Sequence, residues 1–223
     1  MTKSILITGG AGFVGHQVVN EIITSSDWNI YLIDRLSYAG DLNRINEIIE
    51  KSNNEARKRI QFIYHDLKAP LSNQVLKQIE SVNIVLHIGA SSHVNRSIQD
   101  PSVFVQDNIV GTFNILEASK KLENLELFYY FSTDEVFGPS DDEFKFKEWD
   151  RYNSKNPYSA TKAGGEELTI AYNNTYSIPS LISHCCNVYG IRQNSEKFIP
   201  NTIKKILNQE KVIVHTDMND EPG

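Results

Sequence analysis

Short apolar runs alternate with longer stretches of helical periodicity, and this order constrains the fold more than any other feature. The apolar runs predict six strands, which cover residues 4–9, 30–34, 60–66, 83–90, 125–132 and 179–186. The stretches between them predict helices, which lie near residues 14–23, 42–49 and 71–80, over about 101–123, and from Pro157 to about Tyr176. A chain in which strands and helices take turns builds a parallel sheet with helices on both faces. We therefore expect an α/β fold with a doubly wound parallel sheet.

Charge and hydropathy exclude two classes of partner. The chain has 223 residues, a formal net charge of -6 and a pI near 5.5, so it lacks the basic surface that attracts nucleic acids and anionic membranes. No apolar run approaches the roughly 20 residues that cross a bilayer, and the N-terminal apolar stretch runs at once into glycines, unlike a signal peptide. We therefore expect a cytoplasmic protein with no nucleic-acid or membrane partner.

Cysteine and histidine spacing gives no reason to expect a metal. The two cysteines, Cys185 and Cys186, are neighbours, which suits neither a disulfide nor a zinc site, and we interpret them as small buried residues. His65, His87 and His93 are not at metal-ligand spacing. The sequence therefore predicts no metal site.

A glycine-rich turn, TGGAGFVG, follows the first predicted strand and opens the first helix. Gly9, Gly12 and Gly15 allow a tight turn, a close approach of the backbone to a pyrophosphate, and close packing of the helix on the strand. The helix N-terminus adds free N–H groups and a partial positive charge for the phosphates. Asp34 ends the second strand about 20 residues later, where an acid binds the ribose 2′-hydroxyl. The pattern predicts a Rossmann-type domain that prefers NAD to NADP, although Arg35, the next residue, leaves that preference open.

Tyr158 and Lys162 lie one helical turn apart in NPYSATKAGGEEL, on one face of the last predicted helix. A free tyrosine, with a pKa of about 10, is a poor base at neutral pH. A neighbouring ammonium and a nicotinamide cation would lower the pKa of the Tyr158 phenol. Because the pair follows a dinucleotide turn, it predicts a catalytic base and its lysine rather than two surface residues.

The segment FSTDEVFG places Thr133, Asp134 and Glu135 directly after the fifth predicted strand. The carboxyl ends of parallel strands meet at one edge, where such sheets bind ligands, so we expect these three residues beside the dinucleotide. Two carboxyls in different environments can act as acid and base. A solvated acidic turn is the alternative, and that interpretation suits the acidic run 141–143 better.

These motifs resemble those of the extended short-chain dehydrogenases/reductases, and within that superfamily the chain is similar to the nucleotide-sugar 4,6-dehydratases. The matching segments are ITGGAGFVG, IDRLSYAG, HDL, HIGASSHVNRSI, STDEVFG, NPYSATKAGGEEL and NVYGIRQNSEKFIPN. STDEV together with SHVNRS is specific to the dehydratase branch. Members convert dTDP-glucose or UDP-glucose to the 4-keto-6-deoxy sugar with a bound NAD that ends the cycle unchanged. The resemblance implies an NAD-dependent hydro-lyase of deoxysugar (rhamnose-type) biosynthesis, with dTDP-glucose as the first choice of substrate.

The resemblance also implies a role for each member of the predicted catalytic set. Tyr158 would take the C4 hydroxyl proton during oxidation, and Lys162 would hold the cofactor ribose. Thr133 would hydrogen-bond the C4 oxygen. Glu135 would remove the C5 proton, which the C4 ketone makes acidic, and Asp134 would protonate the departing C6 hydroxyl.

Further positions are implied as binding residues. Cofactor contacts fall on Gly9, Gly12, Phe13, Val14, Gly15, Asp34, Asp66, Leu67, Tyr158 and Lys162. Substrate contacts fall on Ser92, His93, Arg96, Thr133, Asn187 and Lys197. His93 could equally be a structural histidine and Lys197 a solvated lysine. His184 stands where a basic or polar residue is common, which leaves its contact open.

Residues 1–184 form the predicted NAD-binding domain, and residues 185–223 form the start of a nucleotide-sugar-binding lobe. Relatives run on for roughly a hundred residues, so we expect this smaller lobe to be largely absent from this chain. Three other functions stay open: the same reaction on UDP-glucose, an NDP-sugar 4-epimerase or reductase, and an NAD-binding module without catalysis. The resemblance also implies a homodimer packed through residues 101–123 and 157–176.

Overall fold

The computed structural model describes residues 2–140 and 144–213, which contain a six-stranded sheet. The strands are β1 (Ser4–Thr8), β2 (Asn29–Asp34), β3 (Ile60–Tyr64), β4 (Ile84–His87), β5 (Leu127–Thr133) and β6 (Ser180–Cys185). Neighbouring strands pair in parallel, in the order β3-β2-β1-β4-β5-β6. The predicted doubly wound parallel sheet is confirmed, and each predicted strand is present.

Helices flank both faces of this sheet. They are α1 (Phe13–Ser25), α2 (Leu42–Lys51), α3 (Asn54–Lys58), α4 (Asn73–Gln78), α5 (Val94–Gln99), α6 (Pro101–Phe104), α7 (Gly111–Ser119), α8 (Pro157–Tyr176) and α9 (Phe198–Leu207). Helix α8 begins at Pro157 as predicted, after a capping box in which Asn156 and Ser159 satisfy each other's backbone N–H groups. Helices α3, α5 and α9 fall outside the predicted elements, and the first two are too short to show a helical period.

The predicted helix over residues 101–123 is interrupted in its middle. A π-helical turn, Val105–Val110, lies between α6 and α7. Its Asn108 side chain donates hydrogen bonds to the Ser91 carbonyl and to Thr161 Oγ1, both at 2.9 Å. The wider turn thus presents a side chain that joins the loop after β4 to helix α8, as π-helical turns often do near functional sites.

One hydrophobic cluster covers each face of the sheet. Successive residues of β1 point to opposite faces, so Leu6 joins one cluster and Ile7 the other. Leu116 of α7 packs in the first cluster and Val19 of α1 in the second. Each fully buried aliphatic side chain contributes about 1.5–3 kcal/mol of transfer free energy. The two clusters explain why the strands are apolar on both sides, and they hold the strand ends in a fixed row.

Tertiary contacts divide the chain into two compact units, Met1–Cys186 and Asn187–Gly223. The first unit holds the sheet and helices α1 to α8. In the second unit, α9 begins after its N-cap residue Lys197. Across the described part of the chain, no helix is both long and apolar enough to span a membrane. The acidic run 141–143 lies outside the described residues.

The prediction that both cysteines are buried is wrong. Cys185 ends β6 and is partly exposed, and Cys186 is exposed. The reason is their place in the fold, because β6 is the last strand of the sheet and its neighbour β5 covers one side only. A hydrogen bond with Asp134 raises the pKa of the Cys186 thiol.

Candidate active site

The parallel sheet brings most of the predicted site residues to its carboxyl edge. The glycine turn follows β1, Asp34 ends β2, and Thr133 ends β5, while α8 runs beside β5. Two groups can be distinguished along this edge. We call residues 9–15, 34–35, 66–67 and 107 the glycine-turn side, and residues 132–135, 156–166 and 184 the carboxylate side.

The glycine turn leaves the N-terminus of α1 without a side-chain cap. The N-cap residue of this 13-residue helix is Gly12, which makes no side-chain cap hydrogen bond, and the first turn, which includes Phe13 and Val14, has no acidic residue. Gly9 has a φ of +70°, and a Cβ there would lie 2.8 Å from Gly89 Cα. A Cβ at Gly12 would meet only the Gly9 carbonyl oxygen, at 3.0 Å, so the space beside it is open. Uncapped amides, the helix dipole and open space together fit a dinucleotide pyrophosphate.

Packing of α1 against the turn requires the third glycine. A Cβ at Gly15 would overlap the Gly9 carbonyl oxygen and would lie 2.8 Å from Gly10 Cα. Gly15 therefore sets the distance between helix and turn, as the third glycine of a dinucleotide fingerprint does.

Asp34 connects β2 to the glycine turn. Its Oδ2 accepts a hydrogen bond from the Ala11 N–H at 3.1 Å, and its Oδ1 accepts one from the Leu36 N–H at 2.8 Å. The carboxylate is partly buried at the end of β2, where an acid binds a ribose hydroxyl. Asp34 thus ties the end of β2 to the glycine turn, and its binding of a ribose stays a prediction.

Asp66 and Leu67 follow β3 on the same side. Asp66 accepts a hydrogen bond from the Lys68 N–H at 3.1 Å, and Arg35 Nη1 lies 3.3 Å from each of its carboxylate oxygens. Burial raises the pKa of Asp66, but the Lys68 hydrogen bond and the Arg35 charge outweigh that effect, so the pKa is lowered. Leu67 packs against a hydrophobic cluster, and its carbonyl accepts a hydrogen bond from Asn114 Nδ2 at 2.7 Å.

Thr133, Asp134 and Glu135 leave β5 in a short 3₁₀ turn. Thr133 Oγ1 donates to Asp134 Oδ1 and accepts from the Glu135 N–H, each at 3.3 Å. Asn156 Nδ2 donates to Glu135 Oε2 at 3.1 Å. Thr133 is buried and both acids are partly buried. The pair is therefore not a solvated turn, and its two carboxylates have different partners, which is what separate acid and base roles require.

Lys162 is buried beside this turn, with 4% of its surface exposed. Its Nζ donates to the Phe131 carbonyl at 2.8 Å and lies 4.2 Å from the centre of the Tyr130 ring. Burial lowers the pKa of Lys162 to about 7, although the charge of Glu166 opposes this. An amine with such a pKa can hold or release a proton at neutral pH.

Tyr158 is also buried, with 9% of its surface exposed. Burial raises the pKa of Tyr158 to about 12, the Glu135 charge adds to this, and a hydrogen bond with Thr133 opposes it. Removal of a phenolate from water is unfavourable, so burial raises this pKa in the cofactor-free chain. The expected lowering includes the charge of a bound nicotinamide cation and stays a prediction.

A buried carboxylate that the sequence analysis missed lies beneath the carboxylate side. Glu166 is fully buried on α8 and accepts hydrogen bonds from Ser132 Oγ, Tyr152 Oη and His184 Nε2, the last at 2.8 Å. It joins β5, β6 and the loop before α8. Its position one turn after Lys162 was a signal that could have revealed it. The open contact of His184 is therefore this hydrogen bond with Glu166.

Apart from Thr133, the predicted substrate residues of the first unit lie around α5. Ser92 and His93 precede the helix, and Arg96 lies within it. The Arg96 guanidinium stacks over the ring of Tyr38 at 3.8 Å, which connects α5 to the loop after β2.

The two remaining predicted substrate residues, Asn187 and Lys197, belong to the second unit. The structure therefore supports no geometry for them relative to Thr133. Within residues 2–140 and 144–213, no group of three or more His, Cys, Asp and Glu side chains could hold a metal ion.

The sequence is similar to a known protein family and to individual members of that family. A family model described as GDP-mannose 4,6 dehydratase matches residues 6–220. The chain is 38% identical over 229 residues to a dTDP-glucose 4,6-dehydratase of Neisseria gonorrhoeae, which covers 96% of this chain and 63% of that protein. It is 35% identical over 219 residues to a trifunctional enzyme of Arabidopsis thaliana that includes UDP-glucose 4,6-dehydratase, covering 96% of this chain and 32% of that protein. The chain thus spans less than two thirds of these relatives.

Solved structures give a consistent result. The dTDP-glucose 4,6-dehydratase DesIV of Streptomyces venezuelae, with NAD bound, superposes with a TM-score of 0.86 at 30% identity, covering 96% of this chain and 65% of that one. A UDP-glucuronic acid 4-epimerase of Bacillus cereus, also with NAD bound, gives a TM-score of 0.84 at 28% identity, covering 96% and 66%. Backbone similarity alone therefore does not separate dehydration from epimerisation.

Proposed function

Because the chain belongs to the GDP-mannose 4,6-dehydratase family of nucleotide-sugar-modifying short-chain dehydrogenases/reductases, we propose that it acts as an NAD-dependent dTDP-glucose 4,6-dehydratase. One observation carries the proposal. The carboxylate side combines a buried tyrosine and lysine with two partly buried carboxylates at the end of β5, on the same sheet edge as the uncapped glycine turn. An oxidation site and an elimination site are thus available together.

The residues of the glycine-turn side fit a nicotinamide dinucleotide. Gly12 leaves room for the pyrophosphate at the α1 N-terminus, Gly9 and Gly15 allow the tight turn and the close packing of α1, and Asp34 provides a carboxylate for the ribose. When bound, NAD supplies a hydride acceptor for C4, a hydride donor for C6, and a positive charge beside the phenol. Phe13, Val14, Asp66 and Leu67 complete the proposed contacts.

Tyr158 and Thr133 carry the oxidation of the sugar at C4. Tyr158 receives the C4 hydroxyl proton as the C4–H bond breaks, and the Thr133 hydroxyl orients the same oxygen. With a pKa raised to about 12, Tyr158 keeps its proton in the free protein, so it becomes a base only where positive charge is added beside it. Lys162, with a pKa of about 7, holds the ribose and provides a proton reservoir one turn away.

Glu135 and Asp134 carry the elimination. The C4 ketone acidifies the C5 proton, which Glu135 removes while the C5=C6 double bond forms. Asp134 protonates the C6 oxygen, the C6–O bond breaks, and water leaves. Delivery of hydride to C6 and return of a proton to C5 then give the 4-keto-6-deoxy sugar. Asn156, which donates to Glu135 Oε2, leaves the second oxygen of that carboxylate for the C5 proton.

Further parts of the proposal concern substrate and assembly. We assign Ser92, His93, Arg96, Asn187 and Lys197 to the nucleotide sugar, in deoxysugar (rhamnose-type) biosynthesis in the cytoplasm. We also assign residues 101–123 and 157–176 to a homodimer interface, which several partly exposed apolar side chains on α6, α7 and α8 support. UDP-glucose is the second candidate substrate, because a relative of equal coverage of this chain includes that activity.

An epimerase or a reductase needs the tyrosine and lysine but has no use for a second acid–base pair at C5 and C6. The similarity to the 4-epimerase favours this second function, and the partly buried Asp134 and Glu135 oppose it. A non-catalytic NAD-binding module would need neither the buried lysine nor the carboxylates. The dehydratase therefore accounts for more of the site than either alternative.

The test is proton NMR of the chain incubated in D₂O with NAD and dTDP-glucose, and separately with UDP-glucose. The proposal expects a 4-keto-6-deoxy product with deuterium at C5, and faster turnover of dTDP-glucose. An epimerised sugar would favour the second function. A folded chain that binds NAD and leaves both sugars unchanged would contradict catalysis by this chain.

A further inference from the structure

Arg35 stands where the choice between NAD and NADP is made in dinucleotide-binding domains. It follows Asp34 at the end of β2, and an arginine near that position accommodates a 2′-phosphate in NADP-binding proteins. The sequence alone therefore gives two opposite signals at adjacent residues: an acid that favours a 2′-hydroxyl and a cation that favours a 2′-phosphate. Which signal applies depends on where the guanidinium points.

The guanidinium of Arg35 is held by Asp107, a residue 72 positions away in the chain. Arg35 Nη1 and Nη2 donate to the two Asp107 carboxylate oxygens at 2.7 and 2.6 Å, a bidentate pair. Asp107 lies in the π-helical turn with 6% of its side chain exposed, and Ser91 Oγ donates to its Oδ2 at 2.6 Å. The hydrogen bonds with Asp107 raise the pKa of Arg35. Asp66 approaches the same guanidinium from β3.

The charges around this pair are balanced. Three carboxylates, those of Asp34, Asp66 and Asp107, are accompanied by three cations, Arg35, Lys68 and Arg44. Arg44 donates to the Ala11 and Ala39 carbonyls and so braces the loop. The pairing of Arg35, rather than the net charge, therefore decides whether its guanidinium can bind a phosphate.

We propose that Asp107 determines cofactor specificity by holding Arg35 in a bidentate pair, so that the chain binds NAD and rejects NADP. The pair converts an arginine that could read a 2′-phosphate into a structural link between β2 and the π-helical turn. Asp34 is then left as the group that reads the ribose. The inference rests on the proposed function only in requiring that the glycine turn binds a nicotinamide dinucleotide.

The experiment measures dissociation constants of NAD and NADP by calorimetry on the complete chain, without sugar. The variants are Asp107→Asn, Arg35→Ala and the two combined, and Asp100→Asn is the matched control because Asp100 is exposed before α6. We expect Asp107→Asn to tighten NADP binding by about tenfold or more, the scale of one charged hydrogen bond, with NAD binding changed less than about threefold. The double variant should lose the gain, and Asp100→Asn should change neither constant.

Arg35→Ala keeps the test decisive if Asp107→Asn does not fold. With Arg35 already occupied, its removal should leave the weak NADP affinity of the chain unchanged. A loss of NADP affinity in that variant, equal NAD and NADP affinities in the unaltered chain, or a gain in Asp107→Asn that persists in the double variant would each overturn the inference. These results are independent of sugar turnover, so a chain that binds NAD but dehydrates nothing contradicts the proposed function alone.

Discussion

On the glycine-turn side the cation Arg35 is paired with carboxylates, whereas on the carboxylate side the cation Lys162 is buried and its pKa is lowered. Arg35 meets two carboxylates and Asp34 accepts two backbone hydrogen bonds. Lys162, by contrast, has a carbonyl as hydrogen-bond partner, and its pKa falls to about 7. Paired charges hold side chains in a fixed arrangement that can bind a ligand. Burial of a charged group instead shifts its pKa, which is common for catalytic groups. The difference supports the proposal that the chemistry takes place at β5 and α8.

The largest effect should follow from Glu135→Gln. The change removes the proposed C5 base but keeps its shape, so formation of the 4-keto-6-deoxy product should fall about 10²- to 10⁴-fold. Oxidation at C4 should continue, and reduced cofactor should accumulate in nicotinamide absorbance. Glu148→Gln, an exposed carboxylate in the loop before α8, is the control and should behave as the unaltered chain. Loss of both steps in Glu135→Gln would mean that this side is not divided into oxidation and elimination groups.

Lys162→Met should change how stability depends on pH. Burial lowers the pKa of Lys162 from 10.5 to about 7, so between these values the unfolded chain binds a proton that the folded chain does not. The free energy of unfolding of the unaltered chain therefore gains on the order of 1 kcal/mol per pH unit from this residue as pH rises from about 7 to 10.5. The Met variant lacks this gain. Urea unfolding of both cofactor-free proteins at pH 7 and pH 10 measures the difference. Equal changes in the free energy of unfolding of the two proteins would contradict the lowered pKa of Lys162.

A smaller effect should follow from Asn156→Ser. Serine caps a helix as well as asparagine does, so the free energy of unfolding should stay within about 0.5 kcal/mol. The hydrogen bond to Glu135 is lost, so deuterium incorporation at C5 should slow about tenfold while C4 oxidation keeps its rate. Asn156→Ala, which loses the cap as well, provides the comparison. Equal slowing of both steps in the serine variant would mean that Asn156 has no separate role at Glu135.

The smallest effect should come from a change on the glycine-turn side. Lys68 and Asp66 form an ion pair at 3.3 Å in which both side chains are well exposed. Such pairs are worth about 0.2–1 kcal/mol, so Lys68→Met should lower the melting temperature only slightly and leave turnover within about twofold. A large loss of activity in this variant would mean that the ion pairs of the glycine-turn side contribute to catalysis.

Buried His87 provides a separate pH test of the core beneath both sides. Its ring nitrogens contact Thr8 Oγ1 at 2.7 Å and Thr112 Oγ1 at 2.9 Å, and burial lowers its pKa to about 3. Below its ordinary pKa of 6.5 the unfolded chain binds a proton that the folded chain does not, so stability should fall as pH drops from about 6.5 towards 3. Urea unfolding at pH 7 and pH 5 should show a smaller decrease for His87→Gln than for the unaltered chain.

Periodicity alone predicted the sheet because parallel strands buried on both faces must be continuously apolar. Pro157, as a proline at the first helical position, predicted the observed start of α8. The π-helical turn was not predicted, and the hydrogen-bond partners of its Asn108, Ser91 and Thr161, are distant in sequence. Sequence patterns predict structure that neighbouring residues determine, whereas the contacts of this π-helical turn involve residues that are distant in sequence.

The sequence by itself determined the order of strands and helices, the glycine turn, and the residue types at the ends of β2 and β5. Only the tertiary structure decided their states: that Arg35 is bound by Asp107, that Glu166 supports the carboxylate side, and that burial raises the pKa of Tyr158 in the cofactor-free chain. The physical reason is that charge pairing and desolvation depend on groups that the fold brings together from distant parts of the chain. Residue types and their spacing can be read from the sequence, but the burial and the neighbouring charges that set each pKa depend on the tertiary structure.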